Sequence, residues 1–252
     1  MLYIYGTVFN NKDTVKESIE SLSRINVEKR FLITDNYSTD GTYEVLQELK
    51  NKYNITLKQV KCSRGKGREL AMELGYHISN NDDLFMYFDL DSVYTPLFIK
   101  YIEDKIKTLK RNEVFLNMLC YKDANFKILW KDLNNGEDWE RIAHFIHEGF
   151  IYSNVKSKYY ELSSNYIGKQ REKRYARGIG YYKRMFKNQI DLFHAWNISN
   201  FKNLKSYMKY SEAKKWHIFI LLPILIYSLT GQFYKYSEEI NILYAKSKMI
   251  LD

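Results

Sequence analysis

Short apolar runs alternate with longer amphipathic stretches through the first 123 residues. The apolar runs predict strands, and the amphipathic stretches, whose apolar residues recur every three or four positions, predict helices. The predicted strands cover residues 2–8, 31–34, 55–61, 84–88 and 114–121, and the predicted helices cover 13–25, 40–52, 67–78 and 96–110. Strands that alternate with helices in this way are typical of a mostly parallel sheet covered on both faces. The chain is therefore predicted to have an α/β, Rossmann-like fold.

Two aspartates, Asp89 and Asp91, follow directly after the uncharged strand at 84–88. Alternate side chains of an extended segment share one face, so both carboxylates can point the same way. Ligands of open α/β sheets bind beyond the carboxyl ends of the strands. Two carboxylates there can hold Mg²⁺ or Mn²⁺, with phosphate oxygens completing the shell. The alternative is that two acids simply end a strand in a turn.

Charged residues also occur at two neighbouring strand ends. Asp35 ends the second strand, where its carboxylate can accept a hydrogen bond from a ligand or cap a turn. The sequence Arg64–Gly65–Lys66–Gly67 lies between the third predicted strand and helix. It can bring positive charge and a close backbone approach to a diphosphate. Arg64 suits a solvated surface equally well.

The net charge of +9 is concentrated in one segment. Residues 156–187 contain 10 Lys and Arg against 2 Asp and Glu, whereas residues 1–155 contain 21 against 23. Such a segment suggests a polyanionic partner: nucleic acid, phosphate groups or an acidic membrane. Two cysteines, Cys62 and Cys120, are too few for a disulfide framework, and the opening MLYIYGTV lacks the features of a secretory signal. These features predict a reducing, cytoplasmic location.

Residues 216–234 contain no Asp, Glu, Lys or Arg. A membrane-spanning helix needs roughly 20 mostly apolar residues, so this stretch is at the threshold. Pro223 lies in its middle, and a buried core helix is the alternative. We favour a helix that lies in the membrane interface beside its basic neighbours, with peripheral contact through 201–234 at the inner face of the cell membrane. The predicted domains are 1–200, which carries the site, and 201–252, a basic helical extension.

Four segments in order resemble the family-2 glycosyltransferases, which have the GT-A nucleotide-sugar-binding fold. They are IYGTVFNNKDTVKESIESL at 4–22, ITDNYSTDGT at 33–42, LFMYFDLDS at 84–92 and GEDWER at 136–141. The resemblance implies an inverting transferase that moves a sugar from a UDP- or GDP-sugar to an acceptor hydroxyl on a glycan or a lipid-linked acceptor. It also implies a divalent metal, Mn²⁺ or Mg²⁺.

The resemblance assigns roles to individual residues. Asp91 would bind the metal directly, and Asp89 would bind ribose or a metal-bound water. Asp35 would bind the base, and Asp138 would be the catalytic base with Glu137 as its helper. The other implied contacts to the nucleotide or donor are Thr7, Phe9, Arg64, Lys66 and Leu90. Arg171, Arg174 and Arg177 could bind the donor diphosphate or an anionic acceptor, or be solvated surface.

The sequence departs from the family pattern at three positions. Thr7 stands where the family has proline, and Met72 and Glu73 stand where it often has Arg and Asn. These departures bear on the nucleobase and the fine donor contacts. Two rival functions remain: a non-catalytic GT-A-like protein that binds nucleic acid or acidic lipid, and a sugar nucleotidyltransferase. The latter would need a Gly-rich phosphate loop that YGTVFNN does not supply. We expect no nucleic-acid partner, since a binding module has no need for so many placed carboxylates.

Overall fold

The computed structural model describes residues 1–133 and 137–153. Through residue 108, strands and helices alternate as predicted. The elements are β1 Leu2–Val8, α1 Lys12–Ser23, β2 Lys29–Asp35, α2 Thr42–Leu49, β3 Ile55–Gln59, α3 Arg64–Glu73, β4 Leu84–Tyr87, α4 Pro96–Thr108, β5 Glu113–Phe115, β6 Cys120–Tyr121, α5 Lys122–Lys127, α6 Glu137–His147 and β7 Ile151–Ser153.

Five strands form the central sheet in the order β3-β2-β1-β4-β6. The first four are parallel, and β6 runs antiparallel to β4. The chain leaves β1 to one side for β2 and β3 and returns on the other side for β4. This reversal places a topological switch point beside β1, which is where open α/β sheets bind ligands.

Alternation along β1 separates two apolar cores. Leu2 and Ile4 pack in a cluster with α1, α2 and α4 on one face of the sheet. Tyr3 and Tyr5 pack in a second cluster with α3 and with residues of α6 on the other face. The residues of β1 from Leu2 to Tyr5 are at most 1% exposed, as a central strand covered by helices on both faces requires. The predicted fold class is thereby confirmed.

The predicted strand at 114–121 is wrong as one element. Glu113–Phe115 forms β5 and pairs with β7 in a separate two-stranded sheet, whereas Cys120–Tyr121 forms β6 of the central sheet. A tight turn separates them, closed by hydrogen bonds in both directions between Phe115 and Leu119. Asn117 and Met118 in this turn have φ of +53° and +51°. The turn was missed because the sequence has no glycine or proline there to indicate it.

The third predicted helix begins earlier than expected. The sequence Arg64–Gly65–Lys66–Gly67, predicted as a loop, forms the first turn of α3. Ser63 caps this helix by accepting a hydrogen bond from the Lys66 N–H. The cap residue was present in the sequence, but two glycines after it favoured a loop.

The predicted boundary at residue 200 and the extension 201–252 lie outside the described residues, as does the apolar stretch at 216–234. Among residues 1–133 and 137–153, no helix is long and apolar enough to cross a membrane.

Candidate active site

Four elements bring charged side chains to the carboxyl edge of the sheet. Asp35 ends β2, and Asp89 follows β4 by two residues. The second turn of α3 and the first turn of α6 contribute Arg68 and Glu137 to the same place. The DxD segment, residues 89–91, is not part of β4, which ends at Tyr87. Because β2 and β4 flank β1 in the sheet, residues at their carboxyl ends lie beside the switch point.

The guanidinium of Arg68 joins two of the predicted motifs. One of its nitrogens donates to Asp89 Oδ1 at 2.6 Å, and another donates to Glu137 Oε1 at 2.8 Å. Its carbon lies 4.6 Å from the ring centroid of Tyr87 and 4.9 Å from that of Trp130. The charge is thus held in place by two carboxylates and two aromatic faces. Burial lowers the pKa of Arg68, but the charges of Asp89 and Glu137 together outweigh that effect and raise the pKa above its usual value.

Glu137 is almost completely enclosed. Its side chain is 2% exposed, and a nitrogen of Arg64 lies 3.7 Å from the same Oε1 that Arg68 binds. Burial raises the pKa of this carboxyl, although the Arg68 charge opposes that effect. Within the described residues, its second oxygen has no hydrogen-bond partner. Because Glu137 is buried and bound, its position suits an orienting group better than a base that meets an acceptor.

Asp138 is the next residue of α6 and is more accessible. It is half-buried. Its charge reaches other groups of the site: burial chiefly raises the pKa of the Tyr152 hydroxyl, and Asp138 raises it further. Burial also raises the pKa of the Tyr87 hydroxyl, and the charges of Asp89 and Asp138 raise it further. Asp138 therefore provides the half-exposed carboxylate at the start of α6.

The exposure of the DxD segment alternates. Asp89 and Asp91 are half-buried, and Leu90 between them is 2% exposed in the core. The prediction that the two carboxylates share a face stays a prediction, since residues 90–91 form a turn and not a strand. The side chain of Leu90 packs in the core, so a donor could contact this residue only at its backbone. Asp89 stays 46% exposed even though Arg68 holds one of its oxygens.

No group of three or more His, Cys, Asp or Glu side chains that could hold a metal ion occurs in the described part of the chain. Two adjacent carboxylates nevertheless fit a hard cation that takes its remaining ligands from a bound diphosphate. Asp89 and Asp91 therefore fit a metal that arrives with its donor rather than a permanently caged one.

Asp35 is fully buried and already satisfied by protein groups. Its carboxylate accepts hydrogen bonds from the Ser38 N–H at 3.0 Å, from the Ser38 hydroxyl and from Gln59 Nε2 at 3.0 Å. It is 0% exposed. The turn-capping alternative is thus present in the structure. Because the side chain is fully buried, a nucleobase could reach Asp35 only if the groups around it moved.

The two glycines in the first turn of α3 pack against other parts of the protein and leave no room for a ligand beside them. A Cβ on Gly65 would lie 1.9 Å from the Lys131 carbonyl oxygen, and the Gly65 N–H donates to Leu133 O at 2.8 Å. A Cβ on Gly67 would lie 2.3 Å from Thr7 Oγ1. The expected close backbone approach is therefore made by the protein's own chain. The positive charges are placed as expected, since Arg64 and Lys66 are exposed at the helix start.

Thr7 and Phe9 lie at and just beyond the end of β1. Thr7 Oγ1 donates to the Thr34 carbonyl at 3.2 Å, and Phe9 is 53% exposed. The expected start of the second helix at Asp40–Gly41–Thr42 is confirmed: Gly41 is the N-cap, and Asp40 Oδ1 accepts from the Thr42 N–H at 3.0 Å.

Sequence reasoning missed Arg68, which holds the site together. The signal was its spacing from Arg64, because residues four apart lie on the same side of a helix. Arg171, Arg174 and Arg177 lie outside the described residues, so their predicted role stays a prediction.

The fold of parallel strands, switch point and edge carboxylates is that of the GT-A glycosyltransferases. Residues 4–190 match the sequence pattern of glycosyl transferase family 2. The match covers most of the chain, and the protein belongs to this family: it is a glycosyltransferase. The predicted family is thereby confirmed.

Solved structures of S. aureus TarS have the same fold. Its fragment 1–349 superposes with a TM-score of 0.55 at 13% identity, covering 88% of this chain and 78% of that one. The same fragment in complex with UDP-GlcNAc gives a TM-score of 0.54 at 12% identity, covering 90% and 79%. Full TarS gives 0.51 at 12% identity, covering 98% of this chain and 53% of that one. No curated protein matches the sequence.

Proposed function

We propose that this glycosyltransferase moves a sugar from a nucleotide-diphosphate sugar to an acceptor hydroxyl, with inversion at the anomeric carbon. The observation that carries the proposal is the double contact of Arg68. It brings Asp89, of the donor-side motif, to the helix that begins with Glu137–Asp138. Groups for leaving-group stabilisation and for proton removal are thus assembled at one edge of the sheet.

The donor side consists of Asp89, Asp91 and the basic residues at the start of α3. Asp89 and Asp91 would hold a divalent metal, Mn²⁺ or Mg²⁺. When bound, such a metal neutralises charge that develops on a nucleoside-diphosphate leaving group. Arg64 is exposed at the helix start, where it can meet phosphate oxygens. Arg68 keeps Asp89 in place for this purpose.

Asp138 is the proposed base. The acceptor oxygen attacks the anomeric carbon while the bond from that carbon to the diphosphate oxygen breaks, and the hydroxyl proton passes to the Asp138 carboxylate. A single displacement of this kind inverts the configuration. Glu137 does not take the proton in this scheme, because Arg68 and Arg64 hold it in a buried position. It fixes the start of α6 and so orients Asp138.

The acceptor is proposed to be a glycan or a lipid-linked hydroxyl at the cytoplasmic face of the membrane. This part of the proposal rests on the basic segment 156–187 and the uncharged stretch 216–234, both outside the described residues.

Donor hydrolysis and nucleotide binding by the full-length protein test the proposal. The TarS complex makes UDP-GlcNAc the first donor to try, beside a GDP-sugar, each with Mn²⁺ and with EDTA. We expect thermal stabilisation by one nucleoside diphosphate that needs the metal, and release of that nucleotide from the matching donor. Asp91→Ala should abolish both effects.

A second variant separates the donor side from the base. Asp138→Asn should still bind the nucleotide with metal but should lose transfer to an acceptor by at least a hundredfold. Full transfer by Asp138→Asn would place the base elsewhere. If no nucleoside diphosphate stabilises the wild type with or without metal, the donor assignment is wrong.

A further inference from the structure

The DxD segment has no strand ladder to hold it. The last backbone hydrogen bond to β1 before this segment runs from the Phe88 N–H to the Tyr5 carbonyl at 2.9 Å. Beyond that point, the Ser92 N–H donates to the Asp89 carbonyl at 3.2 Å, and side chains from α1, its N-cap and the loop before α4 also bind the backbone. The backbone of Asp89 and Leu90 is therefore held by one turn hydrogen bond and by those side chains.

The hydroxyl of Tyr94 contacts both polar groups of the Asp89 backbone. It accepts a hydrogen bond from the Asp89 N–H at 3.0 Å and lies 3.4 Å from the Asp89 carbonyl oxygen, to which it donates. One oxygen atom thus closes a loop from residue 89 to residue 94. This contact is local in sequence, but it fixes the orientation of the Asp89 peptide.

Tyr94 is itself firmly placed. It is 5% exposed, and its ring lies 4.5 Å from that of Phe98. Its own N–H donates to Ser21 Oγ on α1 at 3.0 Å. A tyrosine hydroxyl can both donate and accept a hydrogen bond.

Two more side chains complete the hold on this segment. Ser18 Oγ donates to the Asp89 carbonyl at 3.3 Å, and Asn11 Nδ2 donates to the Leu90 carbonyl at 2.6 Å. Ser18 and Asn11 are 0% and 3% exposed. The carbonyls of Asp89 and Leu90 are thus each bound by a buried donor from α1 or its N-cap.

Filling the core does not need the hydroxyl, because a phenylalanine ring would occupy the same space. We propose that Tyr94 is a positioning residue: its hydroxyl holds the DxD segment in the conformation that binds metal and donor diphosphate. This inference rests on the proposed function of Asp89 and Asp91. The hydroxyl touches neither the donor nor the reacting atoms in this scheme.

The test compares Tyr94→Phe with Tyr121→Phe in the full-length protein. Tyr121→Phe also removes one partly buried hydroxyl that donates to a backbone carbonyl, that of Leu109 at 3.3 Å. Tyr121 lies on β6, away from the site, so this variant is the control. The readouts are free Mn²⁺ measured by electron paramagnetic resonance in the presence of UDP or GDP, donor KM and kcat, and the melting temperature.

In Tyr94→Phe we expect the dissociation constant for Mn²⁺ with nucleotide and the donor KM to rise roughly fivefold to tenfold, as the loss of one net hydrogen bond implies. The kcat at saturation should change less than twofold. Tyr121→Phe should leave all three constants unchanged. If Tyr94→Phe fails to fold, Ser18→Ala is the second variant, with an expected increase in the same constants.

Equal Mn²⁺ and donor constants in Tyr94→Phe and wild type would overturn the role of Tyr94 alone. Equal weakening in Tyr94→Phe and Tyr121→Phe would also overturn it, by showing a general loss of stability. If the wild type binds no Mn²⁺ with either nucleotide, the proposed metal site is wrong and this inference fails with it. If the wild type does bind Mn²⁺, Asp91→Ala shows whether the DxD segment provides the site.

Discussion

Glu137 accepts a 2.8 Å hydrogen bond from Arg68 although the two residues are 69 positions apart, and both side chains are at least 96% buried. This contact joins the second turn of α3 to the first turn of α6. Arg68 also binds Asp89, so the pair ties the helix that carries the proposed base, Asp138, to a carboxylate of the proposed metal site. The geometry of the reaction proposed above depends on this buried ion pair.

Removing Arg68 should uncouple the site and leave a buried carboxylate without its main partner. Arg68→Met is expected to lower the free energy of unfolding by about 3–5 kcal/mol and donor turnover by at least a hundredfold. Urea unfolding and nucleotide release measure the two effects. The double variant Arg68→Met with Glu137→Leu should recover most of the stability, since no charge stays buried, without recovering activity. Recovered activity in the double variant would contradict the positioning role.

Glu69 makes stability depend on pH. It is 3% exposed, and its Oε2 accepts a hydrogen bond from the Trp130 N–H at 2.8 Å. Burial raises the pKa of this carboxyl above its ordinary value of 4.5, and the Trp130 hydrogen bond opposes that effect without cancelling it. The folded state therefore binds a proton more tightly than the unfolded state does.

The wild type should consequently lose stability relative to Glu69→Gln as pH rises from 4.5 through the folded-state pKa, because glutamine keeps an acceptor for Trp130 and cannot ionise. Urea unfolding of both proteins between about pH 4 and pH 8 checks this. A difference in stability that stays constant, or that grows in favour of the wild type with rising pH, would contradict it.

Gly65 should tolerate no side chain. A methyl group there would lie 1.9 Å from the Lys131 carbonyl oxygen, which is backbone and cannot rotate away. Gly65→Ala is expected to lower the free energy of unfolding by about 2–3 kcal/mol through displacement of the 131–133 loop or of α3. Lys66→Ala, an exposed position in the same helical turn, is the control and should change stability by less than about 0.5 kcal/mol. Similar unfolding midpoints for the two variants would refute this account.

Arg141 is a buried cation held by neutral groups. Its guanidinium donates to Ile128 O at 2.8 Å, Asn125 O at 2.6 Å and the Tyr5 hydroxyl, and within the described residues no carboxylate lies in ion-pair range. Arg141→Met should cost about 2–4 kcal/mol, since these acceptors would stay buried without a donor. The exposed Lys127, paired with Glu148 at 3.1 Å, provides the control, and Lys127→Ala should cost less than about 1 kcal/mol. Thermal and urea unfolding compare them.

Much of the fold was readable from local pattern. The β1 prediction at 2–8 was met residue for residue, because a buried central strand leaves a continuous apolar signal bounded by polar turns. The helix start at Asp40–Gly41–Thr42 could also be predicted, because the residues that cap a helix lie within a few positions of one another in the sequence. The split of 114–121 into β5 and β6 was not readable, since a turn through Asn117 and Met118 with positive φ has no distinctive composition.

The sequence by itself determined the alternation of strands and helices through residue 108 and the places where carboxylates end strands. These features depend on periodicity and on neighbours along the chain. Only the tertiary structure decided that Arg68 binds Asp89 and Glu137 together, that Asp35 is enclosed by Ser38 and Gln59, and that Tyr94 holds the Asp89 peptide. Arg68 meets Glu137 across 69 residues because of how α3 and α6 pack on the sheet, and Gln59 meets Asp35 through the pairing of β3 with β2. The contact from Tyr94 to Asp89 is local in sequence, but it depends on the turn that the chain makes between them. Residue spacing alone does not specify these geometries.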